Sequence, residues 1–251
     1  MSRFGRVSAE FTAAWYSFLR RRTAVFFTFF FPVIIVLIFG VLVQTQPTGG
    51  GLFAEPPGYY VPGYLAVVVL FTPLSRVGST VARHREGNRF QKLATTPLSR
   101  GEWLLAHTLV NVVVIGLAAL VLLVLVVLLT GASVPLAPAS LALVPFVALG
   151  VALFCGLGSI IGRLSSSQDG VIAASNAVAL PLLFLSETFV TTDLLPAWFR
   201  PVTALSPLTY FARGVRALTF SGGDWAGPLG MLALLAVVVF AVGAVAVPWT
   251  E

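Results

Sequence analysis

The run WLLAHTLVNVVVIGLAALVLLVLVVLL, residues 103–129, decides the fold of this chain. It contains no Asp, Glu, Lys or Arg, and it is longer than the roughly 20 residues that an α-helix needs to cross the hydrocarbon core of a bilayer. A helix satisfies its own backbone hydrogen bonds in lipid, whereas an isolated strand does not. The run therefore predicts a membrane-spanning helix.

Similar apolar runs lie on both sides of this segment. They predict five more spans, at 23–43, 61–82, 139–162, 170–189 and 228–247. Only 10% of the residues are charged, whereas soluble domains carry about a quarter. With 58% of its residues hydrophobic, a soluble chain of this length could not bury its apolar surface in one core. We predict an all-α membrane protein with six transmembrane helices in a single transmembrane domain, residues 1–251.

The basic residues are distributed unevenly between the two sides of the predicted membrane. Of the 15 Lys and Arg residues, all except Arg200, Arg213 and Arg216 fall in or beside segments on one side. The positive-inside rule makes that side cytoplasmic, so both termini are predicted to be cytoplasmic in a multi-pass protein of the plasma membrane. Topology and lipid headgroups then account for the net charge of +6, and no nucleic-acid partner is expected.

The segment 1–22, before the first predicted span, has helical periodicity. Its apolar residues recur every three or four positions, and its polar residues take the other side. The apolar set is Phe4, Val7, Phe11, Trp15 and Phe18, and the polar set is Arg3, Arg6, Glu10 and Ser17. This pattern predicts an amphipathic helix in the membrane interface, with its arginines toward anionic headgroups. The alternative is a helix that packs on a soluble partner.

The most charged stretch, RHREGNRFQKLATTPLSRGE at 83–102, lies between the second and third predicted spans. Residues 83–93 are predicted to form a short helix that Gly87 weakens and Pro97 ends. Phe90 and Leu93, three residues apart, would share one face for docking on a partner. Charged residues would surround that face: Arg85, Glu86, Arg89 and Lys92. The alternative is a solvated loop that only sets the topology.

The chain has no evident nucleotide or metal site of its own. A Walker A loop needs a lysine within G-K-[ST], but the only lysine is Lys92, between Gln91 and Leu93. The only histidines, His84 and His107, have no second ligand at metal spacing. We therefore expect no cofactor bound by this chain.

Ion-coupled carriers usually place ionisable groups in mid-membrane, and this chain has few there. Arg76 lies near the cytoplasmic end of the second predicted span, where it is expected to snorkel, and Glu187 lies near the outer end of the fifth. Neither forms a proton relay, so energy is expected to enter from outside the bilayer.

Three stretches of the chain resemble the ABC-2 family of exporter permeases. They are FPVIIVLIFG (31–40), REGNRFQKLATTPLSR (85–100) and LPAWFRPVTALSPLTYFARGVRAL (195–218). The second resembles the family's cytoplasmic loop, with Glu86 and Gly87 at its opening and a T-P-x-S close at 96–99. The resemblance implies that this loop is a coupling helix that docks in a groove of the ATPase subunit, through Arg85, Glu86, Gly87, Arg89, Phe90, Lys92, Leu93 and Pro97.

The third stretch resembles the family's external segment, here 190–227, which implies short re-entrant helices between the fifth and sixth spans that help to close the exit. Ser206 followed by Pro207 is by itself a good helix start. Many family members have Ser-Gly where this chain has Ser186 and Glu187. We expect Glu187 to pair with Arg213 or Arg216, or else to face an exit pathway. The external gate candidates are Glu187, Pro207, Tyr210, Arg213 and Arg216.

Small residues in the fourth predicted span indicate where helices touch. Ala148, Ala152 and Gly156 repeat every four positions, and Gly158 and Gly162 form a G-x-x-x-G pattern. We expect these residues to pack within one subunit rather than between subunits.

The resemblance also implies the assembly and the function. It implies two ABC ATPase subunits that hold ATP and Mg, a second permease subunit in a homodimer or with a similar partner, and contact with membrane lipids. The expected activity is outward transport of a hydrophobic drug, a lipid or a lipid-linked glycan. The alternatives are an ATP-independent carrier or channel and a non-transporting membrane anchor or assembly protein.

Overall fold

The computed structural model describes residues 2–42, 55–135, 137–189 and 195–249, and these residues form helices joined by turns. Ten α-helices are present in the described residues: α1 Arg3–Leu19, α2 Arg22–Ile35, α3 Val61–Glu86, α4 Arg89–Ala94, α5 Arg100–Thr130, α6 Leu143–Leu164, α7 Gln168–Phe184, α8 Arg200–Thr203, α9 Pro207–Arg216 and α10 Ala226–Ala246. The predicted all-α class is confirmed. Residues 43–54 and 190–194, which include most of the predicted first loop and the start of the external segment, lie outside the described residues.

Five helices are long and apolar enough to cross a membrane. They are Arg22–Leu42, Pro57–Glu86, Arg100–Thr130, Pro138–Leu164 and Ala226–Ala246. Each coincides with a predicted span. The remaining predicted span, 170–189, corresponds to α7, whose 17 residues are about 25 Å long and fall short of the roughly 30 Å hydrocarbon core. The count of six therefore stays a prediction.

Local sequence signals explain where several helices begin and end. Ser99 and Glu102 form a capping box at the start of α5, in which each side chain binds the other residue's backbone N–H. Gly131 follows α5 with a φ of 68°, a left-handed conformation that suits glycine. Ser167 caps α7 by accepting a hydrogen bond from the backbone N–H of Gly170.

The helix α3 lies at the centre of the bundle and packs on α5, α6, α7 and α9. Most of its residues are buried, from Val61 at its start to His84 near its end. Small residues allow its close approach to α6. A Cβ atom added at Gly162 would lie 2.5 Å from the backbone oxygen of Gly78, and one added at Gly158 would collide with the backbone oxygen of Leu74.

Glycines also allow a close contact between α6 and α10. A Cβ at Gly156 would lie 2.7 Å from the backbone oxygen of Val239, and one at Gly243 would lie 2.5 Å from the backbone oxygen of Gly156. The hydroxyl of Ser159 donates a hydrogen bond to the Gly243 carbonyl oxygen at 2.9 Å. The expectation that the small residues of this helix pack within one subunit is confirmed for Gly156, Gly158 and Gly162.

The C-terminal half of the predicted apolar face of α1 packs on α5, through Phe11, Trp15 and Phe18. Phe18 is buried there, whereas Phe4, at the other end of the predicted apolar face, is 84% exposed. Arg6 donates hydrogen bonds to the Glu102 carboxylate, with 3.0 Å between Arg6 Nε and Glu102 Oε2. The Glu10 carboxylate lies 3.2 Å from Nε2 of His107. The prediction that the arginines of this helix turn toward headgroups was wrong for Arg6, because its partner is Glu102 of α5. An interfacial location for α1 stays a prediction.

We predict that Gly158→Ala lowers the thermal stability of the protein in detergent. The added methyl group would collide with the α3 backbone, which cannot yield as a flexible side chain would, and such overpacking costs about 1–3 kcal/mol. The matched control is Gly116→Ala in α5, where nothing lies within 4 Å of the added Cβ. Its melting temperature should equal or slightly exceed that of the wild type. Equal melting temperatures for the two variants would contradict the close packing.

Candidate functional site

The charged stretch after α3 folds as a corner, and the prediction of one helix over 83–93 was wrong. Arg83 and Glu86 belong to the last turn of α3, and a separate helix, α4, begins at Arg89. Asn88 lies between them with a φ of 51°, in the left-handed region, so the chain turns sharply there. Pro97 is exposed beyond the end of α4, as expected of a residue that stops a helix.

Phe90 faces the inside of the protein, so it cannot present a docking face. It is 3% exposed, and its ring centroid lies 5.4 Å from that of His84, 5.2 Å from that of Trp103 and 6.0 Å from that of Trp249. Leu93 is half-buried against the same core. The predicted Phe90–Leu93 docking surface is thus replaced by an anchor that attaches α4 to the bundle.

Arg85 also faces inward. Its guanidinium donates hydrogen bonds to the backbone oxygens of Arg163 and Ser165, at the end of α6. The last carbonyl groups of a helix have no partner within the helix, so Arg85 satisfies groups that would otherwise need water. This residue therefore joins the corner to the turn between α6 and α7.

The remaining predicted docking residues are exposed on the corner: Glu86, Gly87, Arg89, Lys92 and Pro97. Together they form a charged surface, which we call the corner surface. Phe90 and Arg85 attach the corner to the rest of the bundle from inside.

The gate candidates lie together at the opposite end of α3. Glu187, in the turn after α7, is 6% exposed and accepts two hydrogen bonds from Arg213 of α9, one of them 2.7 Å from Nε to Oε2. Of the two predicted partners, Arg213 is thus the one that pairs with the carboxylate. The Glu187 carboxylate raises the pKa of the Arg213 guanidinium above its usual value, by hydrogen bonding and by its charge.

Arg216, the other predicted partner of Glu187, is only 9% exposed. It donates a hydrogen bond of 2.7 Å to the backbone oxygen of Glu187, and its guanidinium lies 4.0 Å from the centre of the Tyr59 ring, just before α3. Arg216 therefore binds the start of α3 to the turn after α7.

The two other gate candidates fix the geometry of α9. Pro207 begins the helix, as predicted, with Ser206 in the capping position. The Ser206 hydroxyl donates a hydrogen bond to the backbone oxygen of Leu182 at 3.1 Å, and the Tyr210 hydroxyl donates one to that of Ala204 at 2.9 Å. Glu187, Arg213 and Arg216 thus form one cluster, which we call the Glu187 cluster, and Pro207 and Tyr210 belong to the helix that carries its arginines. Its role as a gate stays a prediction.

Two histidines lie near the corner, but they do not form a metal site. Their ring centroids are 6.3 Å apart, and Trp103 lies between 4 and 6 Å from both. No group of three or more His, Cys, Asp or Glu side chains in the described residues could hold a metal ion. Cys155 is buried and is not part of a disulfide bond.

Comparison with known proteins identifies the family. Residues 7–220 match the sequence model of the ABC-2 type transporters, which covers both the corner surface and the Glu187 cluster. The chain belongs to the ABC-2 type transporter family. The resemblance found in the sequence is confirmed, and with its apolar helices this ABC-2 protein is an integral membrane protein.

The curated relatives of this ABC-2 protein include probable multidrug ABC transporter permeases. YbhS of Escherichia coli (strain K12) is 28% identical over 166 residues, which are 65% of this chain and 43% of the relative. YbhS of Escherichia coli O157:H7 matches to the same extent. The match thus spans less than half the length of these relatives.

We predict that Phe90→Ala destabilises the protein before it affects any partner. Removing a buried phenyl ring leaves a cavity among His84, Trp103 and Trp249, at a cost of roughly 3–5 kcal/mol. Lys92→Ala, an exposed substitution on the same helix, should leave the melting temperature in detergent unchanged. A Phe90→Ala protein as stable as the wild type would show that the ring is not an anchor.

We also predict that Glu187 and Arg213 are energetically coupled. Glu187→Gln and Arg213→Gln should each lower the melting temperature, and the double variant should lose less than the sum. The coupling should be about 1–2 kcal/mol, because water reaches the Arg213 side chain, which is 46% exposed. Arg200→Gln, an exposed arginine between α7 and α9 with no ion pair in the described residues, is the control. Additive effects would contradict the pairing.

Proposed function

We propose that this protein is the transmembrane permease subunit of an ATP-binding cassette exporter, powered by a separate ATPase. The observation that carries the proposal is the family match over residues 7–220. The five apolar helices that could cross a membrane support it. We propose that α7 and the turn after it complete a sixth crossing, that both termini are cytoplasmic and that the membrane is the plasma membrane.

The corner surface is the proposed docking site for the ATPase subunit. Glu86, Arg89 and Lys92 are exposed on this surface. Charges of both signs favour a specific partner in a specific orientation. Two ATPase copies would hold ATP and Mg, and this chain would bind neither. The chain would therefore transport rather than catalyse.

Energy from the partner would pass along α3. This helix is about 39 Å long, and it joins the corner at its end to Tyr59 and the Glu187 cluster at its start. A force on the corner surface would tilt α3 and strain the contacts that Arg216 makes with Tyr59 and with the backbone of Glu187. Since ATP can shift a conformation only by binding its two states differently, the ATPase must prefer one tilt of α3.

The Glu187 cluster is the proposed outer gate. Arg213 and Arg216 of α9 bind the side chain and the backbone of Glu187, so α9 holds the turn after α7 against the start of α3. Opening would require these contacts to break or to move as one unit. The re-entrant character of α8 and α9 is part of the same proposal.

The transport path is proposed to lie between two permease subunits, in a homodimer or with a similar partner. Exposed apolar side chains on α5 and α10, such as Leu120 and Val237, would face lipid or the second subunit. The relatives are described as probable multidrug permeases, so a hydrophobic drug is the leading substrate class, beside a lipid or a lipid-linked glycan. No nucleic-acid partner is proposed.

The docking proposal predicts that charge reversal on the corner surface weakens binding of the ATPase. Glu86→Lys and Lys92→Glu should each reduce co-purification of the ATPase in mild detergent about threefold, and the pair together about tenfold. Both side chains are exposed, so the melting temperature of the permease should not change.

The control for this experiment is Arg200→Glu, an exposed charge reversal beyond α7. It should leave co-purification of the ATPase at the wild-type level. Unchanged association in the corner variants would remove the docking site. Transport by the purified permease without any ATPase would instead favour the ATP-independent carrier or channel.

A further inference from the structure

A polar cavity of about 110 Å³ lies at the basic end of the bundle, between α1 and the end of α3. The cavity is large enough for several water molecules, and hence for the four oxygens of a phosphate group. Its polar lining comes from four helices and one turn: Glu10 and Ser17 of α1, Arg21 of the turn, Arg76, Thr80, Arg83 and His84 of α3, Arg89 of α4 and His107 of α5.

Positive charge in this lining is not balanced by the protein. Four arginines line the cavity, and its one carboxylate, Glu10, is already in contact with His107 at 3.2 Å. Arg83 donates hydrogen bonds to uncharged groups, Thr80 and Gln168, at 3.1 and 3.4 Å. None of the four arginines forms an ion pair with a carboxylate in the part of the chain that the structure describes.

Arg76 is the residue that points most clearly to a ligand. Its Nη1 atom is buried and has no hydrogen-bond partner among the described residues. Its guanidinium lies 4.0 Å from the centre of the Phe18 ring, so it does not snorkel to the end of the helix as the sequence suggested. His84 is 7% exposed, lines the same cavity and likewise has an unpartnered Nδ1. Buried polar groups without partners are costly, and an anion would remove the cost at Arg76.

The surroundings of the cavity favour a lipid as the source of the anion. Arg21 and Ala24 also line a wider, more open cavity that includes Arg20, Arg22 and Phe27 at the start of α2. Phe27 is 57% exposed and Phe26 is 56% exposed, so apolar surface for acyl chains adjoins the arginines. A free phosphate ion would make no use of that surface.

We propose that this cavity binds the phosphate group of an anionic lipid headgroup. Guanidinium groups match phosphate oxygens with paired hydrogen bonds, and Arg76 and Arg83 of α3 would hold the phosphate together with Arg21. A lipid bound there would connect the turn after α1 to α3. Its contact with Arg89 would connect it to α4 as well. This site shares Arg89 with the corner surface but otherwise uses different residues, and it does not depend on the identity of the transported substrate.

The test is a lipid titration of the full-length protein, purified with the subunits that accompany it and followed by native mass spectrometry. Phosphatidylglycerol and phosphatidylcholine with the same acyl chains are compared. The wild type should prefer phosphatidylglycerol about tenfold, and Arg76→Met should reduce this preference to less than about twofold. Arg3→Met removes an exposed arginine from α1, outside the cavity, and should keep the preference.

Stability measurements separate binding from folding. In lipid-free detergent, Arg76→Met should melt no lower than the wild type, because it replaces an unpaired buried cation by an apolar chain. Phosphatidylglycerol should raise the melting temperature of the wild type but not that of the variant. Arg83→Gln should lose the preference for phosphatidylglycerol to the same extent. If Arg76→Met does not fold, the Arg83 variant alone tests the proposal.

Three results would overturn the proposal. The first is an equal preference in the wild type and the Arg76 and Arg83 variants. The second is an equal loss in these variants and in Arg3→Met, which would indicate surface charge alone. The third is stabilisation by inorganic phosphate as large as that by phosphatidylglycerol, which would assign the cavity to a free anion.

Discussion

The close contact between the backbones of α3 and α6 is the constraint on which the rest of the structure depends. Gly158 and Gly162 of α6 meet Leu74 and Gly78 of α3 with no room for a methyl group between them. In lipid, where apolar side chains gain little by leaving the solvent, such close packing supplies much of the attraction between helices. The contact makes α3 a central element whose two ends are fixed by different neighbours.

The two ends of α3 differ in chemistry. At the basic end, Phe90 anchors a charged corner, and Arg85 ties that corner to the end of α6. At the other end, Arg216 joins Tyr59 to the turn that carries Glu187. We propose that α3 moves as a unit, so that a displacement at the corner is accommodated at the Glu187 cluster. This connection is the physical basis for the proposed use of energy from a separate ATPase.

The sequence predicted the features that depend on local patterns. Five apolar runs coincide with long helices, and the Ser206–Pro207 pair marks the start of α9. The sequence did not predict which charged residues turn inward. Arg85 finds its acceptors 78 and 80 residues away in the chain, and Arg6 finds Glu102 96 residues away, and no spacing rule specifies such partners. Phe90 was assigned to a docking face for the same reason, since its aromatic neighbours come from three other segments.

Hydrogen exchange of the protein in complex with its ATPase tests the central claim most directly. If α3 connects the two ends, ATP added to the complex should change exchange both on the corner, residues 86–97, and in the distant turn and α9, residues 185–189 and 207–216. ATP added to the permease alone should change neither region. A response confined to the corner, or a response of the permease alone, would contradict the account.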